Sequence, residues 1–165
     1  MVQIIETLND YGIFGLYMSM LLEGSSIPFP GLAVVLTLGN FLDDGLLQLL
    51  AVALGMSLAY CAASFIPYLV GLKFQAKIPD YMFSKIRKVQ LWFVRYGELS
   101  ICLSRPFGIG NYISYVAGMS KVNPVRYAVL TLLGIFPWAF SILLLATIYK
   151  AGGEVHWLGS YHFGF

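Results

Sequence analysis

Two charged side chains stand inside long apolar runs: Glu23 in YGIFGLYMSMLLEGSSIPFPGLAVVLTLGNFL (11–42) and Arg105 in YGELSICLSRPFGIGNYISYVAGM (96–119). A charge at bilayer depth costs roughly 2.5–3.5 kcal/mol on insertion scales, so each is a functional candidate by default. A guanidinium lining a dry cavity suits a phosphate; a carboxylate there can bind an ammonium group, carry a proton or pair with the arginine. Each charge adjoins a break rich in proline and glycine, SSIPFPG after Glu23 and PFGIGN after Arg105. Non-helical backbone at that depth survives only where it is buried in protein or lines a wet cavity. Half-helices restarting near Gly31 and Asn111 would turn unpaired backbone N–H groups toward an anion, with Arg105 beside them. The candidate binding set is therefore Glu23, Arg105 and Asn111, with Pro28, Pro30, Gly31, Gly108 and Gly110 from the breaks. The prolines and glycines are read first as backbone devices, because their φ/ψ properties account for them. A plain Glu23–Arg105 salt bridge knitting the two runs together is the competing reading of the charges.

Composition says what must hold these residues. Of 165 residues, 59% are hydrophobic and 11% charged, and the mean hydropathy is +0.78. Those fractions exclude an ordinary soluble domain and predict an integral membrane protein, a single membrane domain over 1–165. The run LLQLLAVALGMSLAYCAASFIPYLVGL (46–72) easily exceeds the roughly 20 residues a spanning helix needs, and VRYAVLTLLGIFPWAFSILLLATIYK (125–150) does so as well. Pro67 and Pro137 are expected to bend these two crossings. The interrupted runs 11–42 and 96–119 read instead as re-entrant hairpins. Between the halves, KFQAKIPDYMFSKIRKVQLWFVRYG (73–97) carries six basic side chains among aromatics, the pattern of an amphipathic linker helix lying in the interface on anionic lipid.

The order hairpin, turn, crossing occurs twice. Tyr11-Gly12 opens the first hairpin and Tyr96-Gly97 the second; Gly39 and Gly118 close them, and Gly55 and Gly134 lie equally far into the crossings. Because a re-entrant hairpin returns to its own side and one crossing follows, the second repeat begins on the opposite face, which makes the pair an inverted repeat. The fold expected is thus an all-α polytopic membrane protein of two inverted repeats (11–72 and 96–150), each a re-entrant broken-helix hairpin followed by a transmembrane helix. The linker helix covers 73–95, and 151–165 form a short interfacial or disordered tail. Charge placement agrees with this topology. Lys73, Lys77, Lys85, Arg87, Lys88, Arg95, Lys121 and Arg126 fall on one face, leaving Lys150 on the other and Arg105 in the membrane. The positive-inside rule makes that face cytoplasmic and places both termini outside.

Other chemistries find little support in the residues. MVQIIETLNDYG has no basic n-region and carries Glu6 and Asp10, so the N-terminus does not read as a cleaved signal. There is no HExxH, no G-x-S-x-G and no Walker-type loop, so the chain is read as a non-enzyme that does not itself use ATP. Cys61 and Cys102 lie in apolar segments and make neither a metal site nor a disulfide framework. His156 and His162 read as tail residues without a ligand cluster, and no metal or other cofactor is expected. The basic, aromatic stretch between membrane segments reads as lipid-facing and not as a nucleic-acid surface.

At EGSSIPFPG (23–31) and SRPFGIGNYISYVAGMSKVNPVRY (104–127), the sequence resembles the DedA family of bacterial membrane proteins, also called the SNARE-associated Golgi protein or VTT-domain family. The resemblance extends over nearly the whole chain. It implies paired re-entrant hairpins, a multi-pass protein of the bacterial plasma membrane, and a role in moving lipids between leaflets. Glu23 falls at the family's essential Glu and Arg105 at its first Arg. Two positions depart: Leu32 stands where many members have an acid, and Asn111 where they have a second Arg. One Arg and one Glu make a nearly neutral cavity, which matches a zwitterionic head such as phosphoethanolamine, its phosphate on Arg105 and its ammonium on Glu23. The reading is therefore an ATP-independent phospholipid transporter or scramblase, with phosphatidylethanolamine favoured. Undecaprenyl phosphate translocation is the alternative substrate reading, and a membrane-organising protein without transport is the alternative class. A homo-oligomer is compatible with all three.

Overall fold

A computed structural model describes residues 2–27, 29–40, 42, 45–73, 91, 93–105 and 110–160, with side chains described between residues 12 and 149. Regular structure among these residues is helical: α1 (Val2–Gly24), α2 (Gly31–Gly39), α3 (Leu46–Lys73), α4 (Leu99–Ser104), α5 (Gly110–Met119) and α6 (Pro124–Ser160). The linker helix expected over 73–95 lies almost wholly outside the described residues, as do Pro28 and Gly108. α3, and α6 over Pro124–Tyr149, are long and apolar enough to cross a membrane, whereas the apolar part of α1 (Gly12–Gly24) is shorter.

The helices begin and end where local chemistry requires. α1 stops at Gly24 because Ser26 adopts a left-handed conformation (φ 71°) and prolines follow within the next turn. The Ser25 hydroxyl donates to the Leu22 carbonyl at 2.7 Å, and the Ser25 and Ser26 amides return to Leu21 and Glu23. The break therefore keeps part of its backbone paired among apolar helices. Asn123 caps α6, accepting the Val125 and Arg126 amides through Oδ1, and Pro124 occupies the first helical position. α6 then continues beyond Lys150 to Ser160, where the sequence reads a short interfacial or disordered tail. Gly152 and Gly153 weaken a helix by about 1 kcal/mol each but do not break it as proline does. Serine and threonine hydroxyls inside the apolar helices, including Ser57 to Ala53 and Ser141 to Pro137, are satisfied by carbonyls one turn back.

Two buried clusters join the elements. Leu16, Met20, Val35, Val52, Met56 and Leu143 centre one; Tyr68, Ile101, Ile113, Val116 and Tyr127 centre the other. α1 packs on α2 and α3, and α4 packs on α5 and α6; α2 reaches across to α6, α5 reaches across to α3, and α3 lies against α6. The tightest seam is α3 on α5. A Cβ on Gly118 would run into the Tyr68 carbonyl and lie 2.8 Å from the Leu72 amide, and one on Gly71 would strike the Tyr115 carbonyl. Small residues let backbones approach closely where lipid supplies no hydrophobic drive between helices. Cys61 and Cys102 are both free thiols.

Candidate functional site

Arg105 caps the C-terminus of the six-residue α4, and its side chain passes between α3, α5 and α6. It is 4% exposed. Nη1 donates to the Tyr60 hydroxyl at 3.3 Å and to Ser114 Oγ at 3.2 Å, and Nη2 donates to the Tyr127 hydroxyl at 3.2 Å and to Thr131 Oγ1 at 2.7 Å. The rings of Tyr60 and Tyr127 also face the guanidinium, with centroids 5.3 and 5.6 Å from Cζ, within cation–π range. Gly134 makes room for the stem, since a Cβ there would lie 2.9 Å from Arg105 Cγ and 2.5 Å from the Cys102 carbonyl. The side of the cradle formed by Tyr127 is rigid. Its hydroxyl lies 3.0 Å from the Ser64 carbonyl and 2.8 Å from Ser114 Oγ, and its ring stacks on Tyr68 at 4.7 Å.

Glu23 occupies the last turn of α1 and is half-buried. Its Oε2 is buried and has no hydrogen-bond partner among the described residues. The carboxylate lies over Gly31, the first residue of α2, so closely that a Cβ at Gly31 would overlap Oε2. A helix N-terminus carries partial positive charge, which favours a carboxylate in that position. Gly31→Ala is therefore expected to push the Glu23 side chain off the start of α2. Because the displaced atoms end a flexible side chain, the melting temperature should change little; a large drop in Gly31→Ala would show that the start of α2 itself cannot take the added carbon.

Glu23 and Arg105 form no ion pair with each other within 4.0 Å; the ion pair seen among the described residues joins Arg126 to Glu98 at 3.6 Å on an exposed surface. Tyr60, from α3, stands by both candidate charges. Its hydroxyl accepts from Arg105 and donates to Asn111 Oδ1 at 3.0 Å, and its carbonyl faces Gly24, the residue after Glu23. The structure thus brings Arg105 and Asn111 together through Tyr60, and sets Glu23 over Gly31 at the start of α2. Pro30 precedes α2 as an exposed residue with no side-chain cap, while Gly110 opens α5.

Tyr60, Ser114, Tyr127 and Thr131 were not among the residues singled out from the sequence. A signal for them exists: Tyr60 with Ser64, Asn111 with Ser114, and Tyr127 with Thr131 are polar pairs at helical spacing in apolar segments. Serine, threonine and tyrosine are common enough in membrane helices that this signal stays faint beside a charge.

The sequence profile of the VTT domain matches residues 28–147 of this chain, beginning within the first break, after Glu23, and taking in the second break with Arg105 and most of both long apolar helices. The chain belongs to the VTT-domain family. The alkaline phosphatase-like protein of Lactococcus lactis subsp. lactis (strain IL1403) is 27% identical over 157 residues, covering 86% of this chain and 72% of its own. The uncharacterized membrane protein YbfM of Bacillus subtilis (strain 168) is 23% identical over 159 residues, 92% of this chain and 96% of its own. No solved structure matches the chain. Family, apolar helices and composition together make this a helical membrane protein.

Proposed function

We propose that this VTT-domain protein moves a zwitterionic phospholipid, phosphatidylethanolamine in the first instance, between the leaflets of a bacterial plasma membrane without ATP. The observation that carries the reading is a guanidinium and a carboxylate beside two broken helices that form no ion pair with each other within 4.0 Å. Two opposite charges in a low-dielectric cavity attract strongly. Their separation leaves a cation for a headgroup phosphate and an anion for its ammonium. The headgroup would pass along Glu23, Arg105 and Asn111 while the acyl chains stay in the bilayer. A clamp formed by a direct Glu23–Arg105 bridge finds no such contact to rest on. The phosphatase in the name of the Lactococcus relatives is compatible with phosphate recognition at Arg105, which is as far as the reading takes it.

The packing of the helices supports the inverted repeat. If α1, α2 and α3 correspond to α4, α5 and α6, each main contact has its counterpart: α1 on α2 with α4 on α5, α1 on α3 with α4 on α6, and α2 on α6 with α5 on α3. The glycines follow the same rule. Gly55 meets the Tyr17 ring of its own half and Gly134 the Arg105 stem of its own half, while Gly39 and Gly118 each meet the crossing of the other half. In this arrangement each hairpin is re-entrant and both breaks meet at mid-membrane. The basic face is cytoplasmic, with the linker on anionic lipid and both termini outside.

The reading is tested by translocation of fluorescent phosphatidylethanolamine in proteoliposomes, with undecaprenyl phosphate as the comparison lipid. Glu23→Gln keeps the shape of the side chain and removes its charge, so phosphatidylethanolamine flux should drop by roughly tenfold or more. Normal flux in a folded Glu23→Gln protein would remove the ammonium contact. If wild type moves neither lipid faster than empty vesicles do, even under a pH gradient, the transport reading fails.

A further inference from the structure

The Arg105 cradle is unequal on its two sides. Nη2 is held by the shortest contact, 2.7 Å to Thr131, and by Tyr127, whose hydroxyl and ring are themselves fixed by Ser64, Ser114 and Tyr68. Among the described residues, the contacts of Nη1 are 3.2 Å to Ser114 and 3.3 Å to Tyr60, the longer of the two. Tyr60 is also the place where the parts of the site converge. Its hydroxyl donates to Asn111 at the start of α5. The end of α1 that carries Glu23 is seated on the same turn of α3, since a Cβ on Gly24 would lie 2.6 Å from the Tyr60 carbonyl.

We propose that the Tyr60 hydroxyl is an internal stand-in for a headgroup phosphate oxygen: it accepts from Arg105 Nη1 until a phospholipid enters, then yields that donor to the phosphate and so sets the affinity of the site. The proposal rests on the transport reading above and names the positioning residue within it. The exchange is chemically balanced. A phosphate oxygen is anionic, and a charge-assisted bond to a guanidinium is roughly twice as strong as one to a neutral hydroxyl. On yielding, Tyr60 gives up its role as acceptor but keeps its own O–H on Asn111 Oδ1, so no buried donor is left unpaired. Thr131 and Tyr127 hold the guanidinium still meanwhile, which keeps the freed N–H aimed at the headgroup. Asn111 is thus an anchor for Tyr60 as well as a wall of the path.

The two sides of the cradle give the test opposite signs. Binding of a short-chain phosphatidylethanolamine to the purified full chain in detergent would be measured by calorimetry. Tyr60→Phe removes the competing acceptor and keeps the ring, so binding should tighten about fivefold, the scale of one modest hydrogen bond. Thr131→Val loosens the anchored side and should weaken binding by about the same factor. A purely structural Tyr60 would weaken binding with Thr131, and equal weakening, or no change in Tyr60→Phe, overturns the exchange. A 3-fluorotyrosine placed at position 60 reads the same event in a chain that keeps its hydroxyl: its fluorine resonance should shift on lipid addition, and an unmoved resonance at saturating lipid also overturns it. Arg105→Ala separates this inference from the reading beneath it. Binding that is lost in Arg105→Ala yet unchanged in Tyr60→Phe leaves transport standing and removes the exchange. No binding by wild type removes both.

Discussion

Arg105→Ala is expected to cut phosphatidylethanolamine translocation by at least about 100-fold, a loss of about 2.7 kcal/mol, while the protein still folds. The size follows from the position of the residue. Arg105 is buried and makes hydrogen bonds to Tyr60, Ser114, Tyr127 and Thr131, so its loss removes a cation fixed in position toward a phosphate. The fold survives because the hydroxyls of Tyr60, Tyr127 and Ser114 have other partners, and Thr131 can turn to a carbonyl one turn back. Tyr127 already lies against the Ser64 carbonyl and Ser114, and Tyr60 against Asn111. Deleting the guanidinium also removes a charge that is costly at membrane depth, which offsets part of the lost hydrogen bonding. Arg105→Lys should recover little of the flux, because one ammonium cannot span partners arranged for a planar fork. The measurement is lipid flux in proteoliposomes beside a melting curve in detergent. A variant that melts and transports as wild type does would take the arginine out of the path.

The second large effect is on stability. Gly118→Val is expected to destabilise the bundle by about 3 kcal/mol, which corresponds to a fall of roughly 10 °C in melting temperature for a chain of this size. The added Cβ would meet the Tyr68 carbonyl and the Leu72 amide of α3. Those are backbone atoms and cannot swing aside as a side-chain tip does, so α5 would have to move away from α3. That shift would pull at the Tyr68 hydroxyl, which donates to the Val122 carbonyl at 2.6 Å, and would open the cluster of Tyr68, Ile113, Val116 and Tyr127. Because Tyr127 is also a wall of the Arg105 cradle, flux should fall with stability. Gly97 makes a useful contrast: it has φ 59° and nothing within 4 Å of a built Cβ, so substitution there strains a turn without prying helices apart. A Gly118→Val protein melting within about 2 °C of wild type, less than the shift expected of 1 kcal/mol, would mean that the seam is looser than the structure has it.

How far the sequence reached can be followed through these residues. Glu23 and Arg105 were legible because a charge in an apolar run is costly enough to need a reason. The breaks beside them were legible because proline and glycine disrupt helices locally, whatever surrounds them. The restart points near Gly31 and Asn111 fall within a residue of where α2 and α5 begin, and a long apolar helix forms over each of the two runs read as crossings. The continuation of α6 past Lys150 was not legible. A tail rich in glycine and aromatics carries neither a strong helix preference nor a stop signal.

The partners of the charges lay beyond the sequence for a different reason. From charge alone, Glu23 pairing with Arg105 was a natural outcome. The structure gives Arg105 to hydroxyls drawn from α3, α5 and α6 and sets Glu23 against the start of α2. What the sequence determined by itself is local: which segments are apolar, where helices must break, and which two charges cannot sit in the membrane without a purpose. What only the tertiary structure decided is which side chains meet. Contacts such as Arg105 with Thr131, or Gly118 with Tyr68, join residues far apart in the chain and depend on how whole helices cross. Crossing geometry follows from the summed fit of many small side chains, and no single residue type announces it.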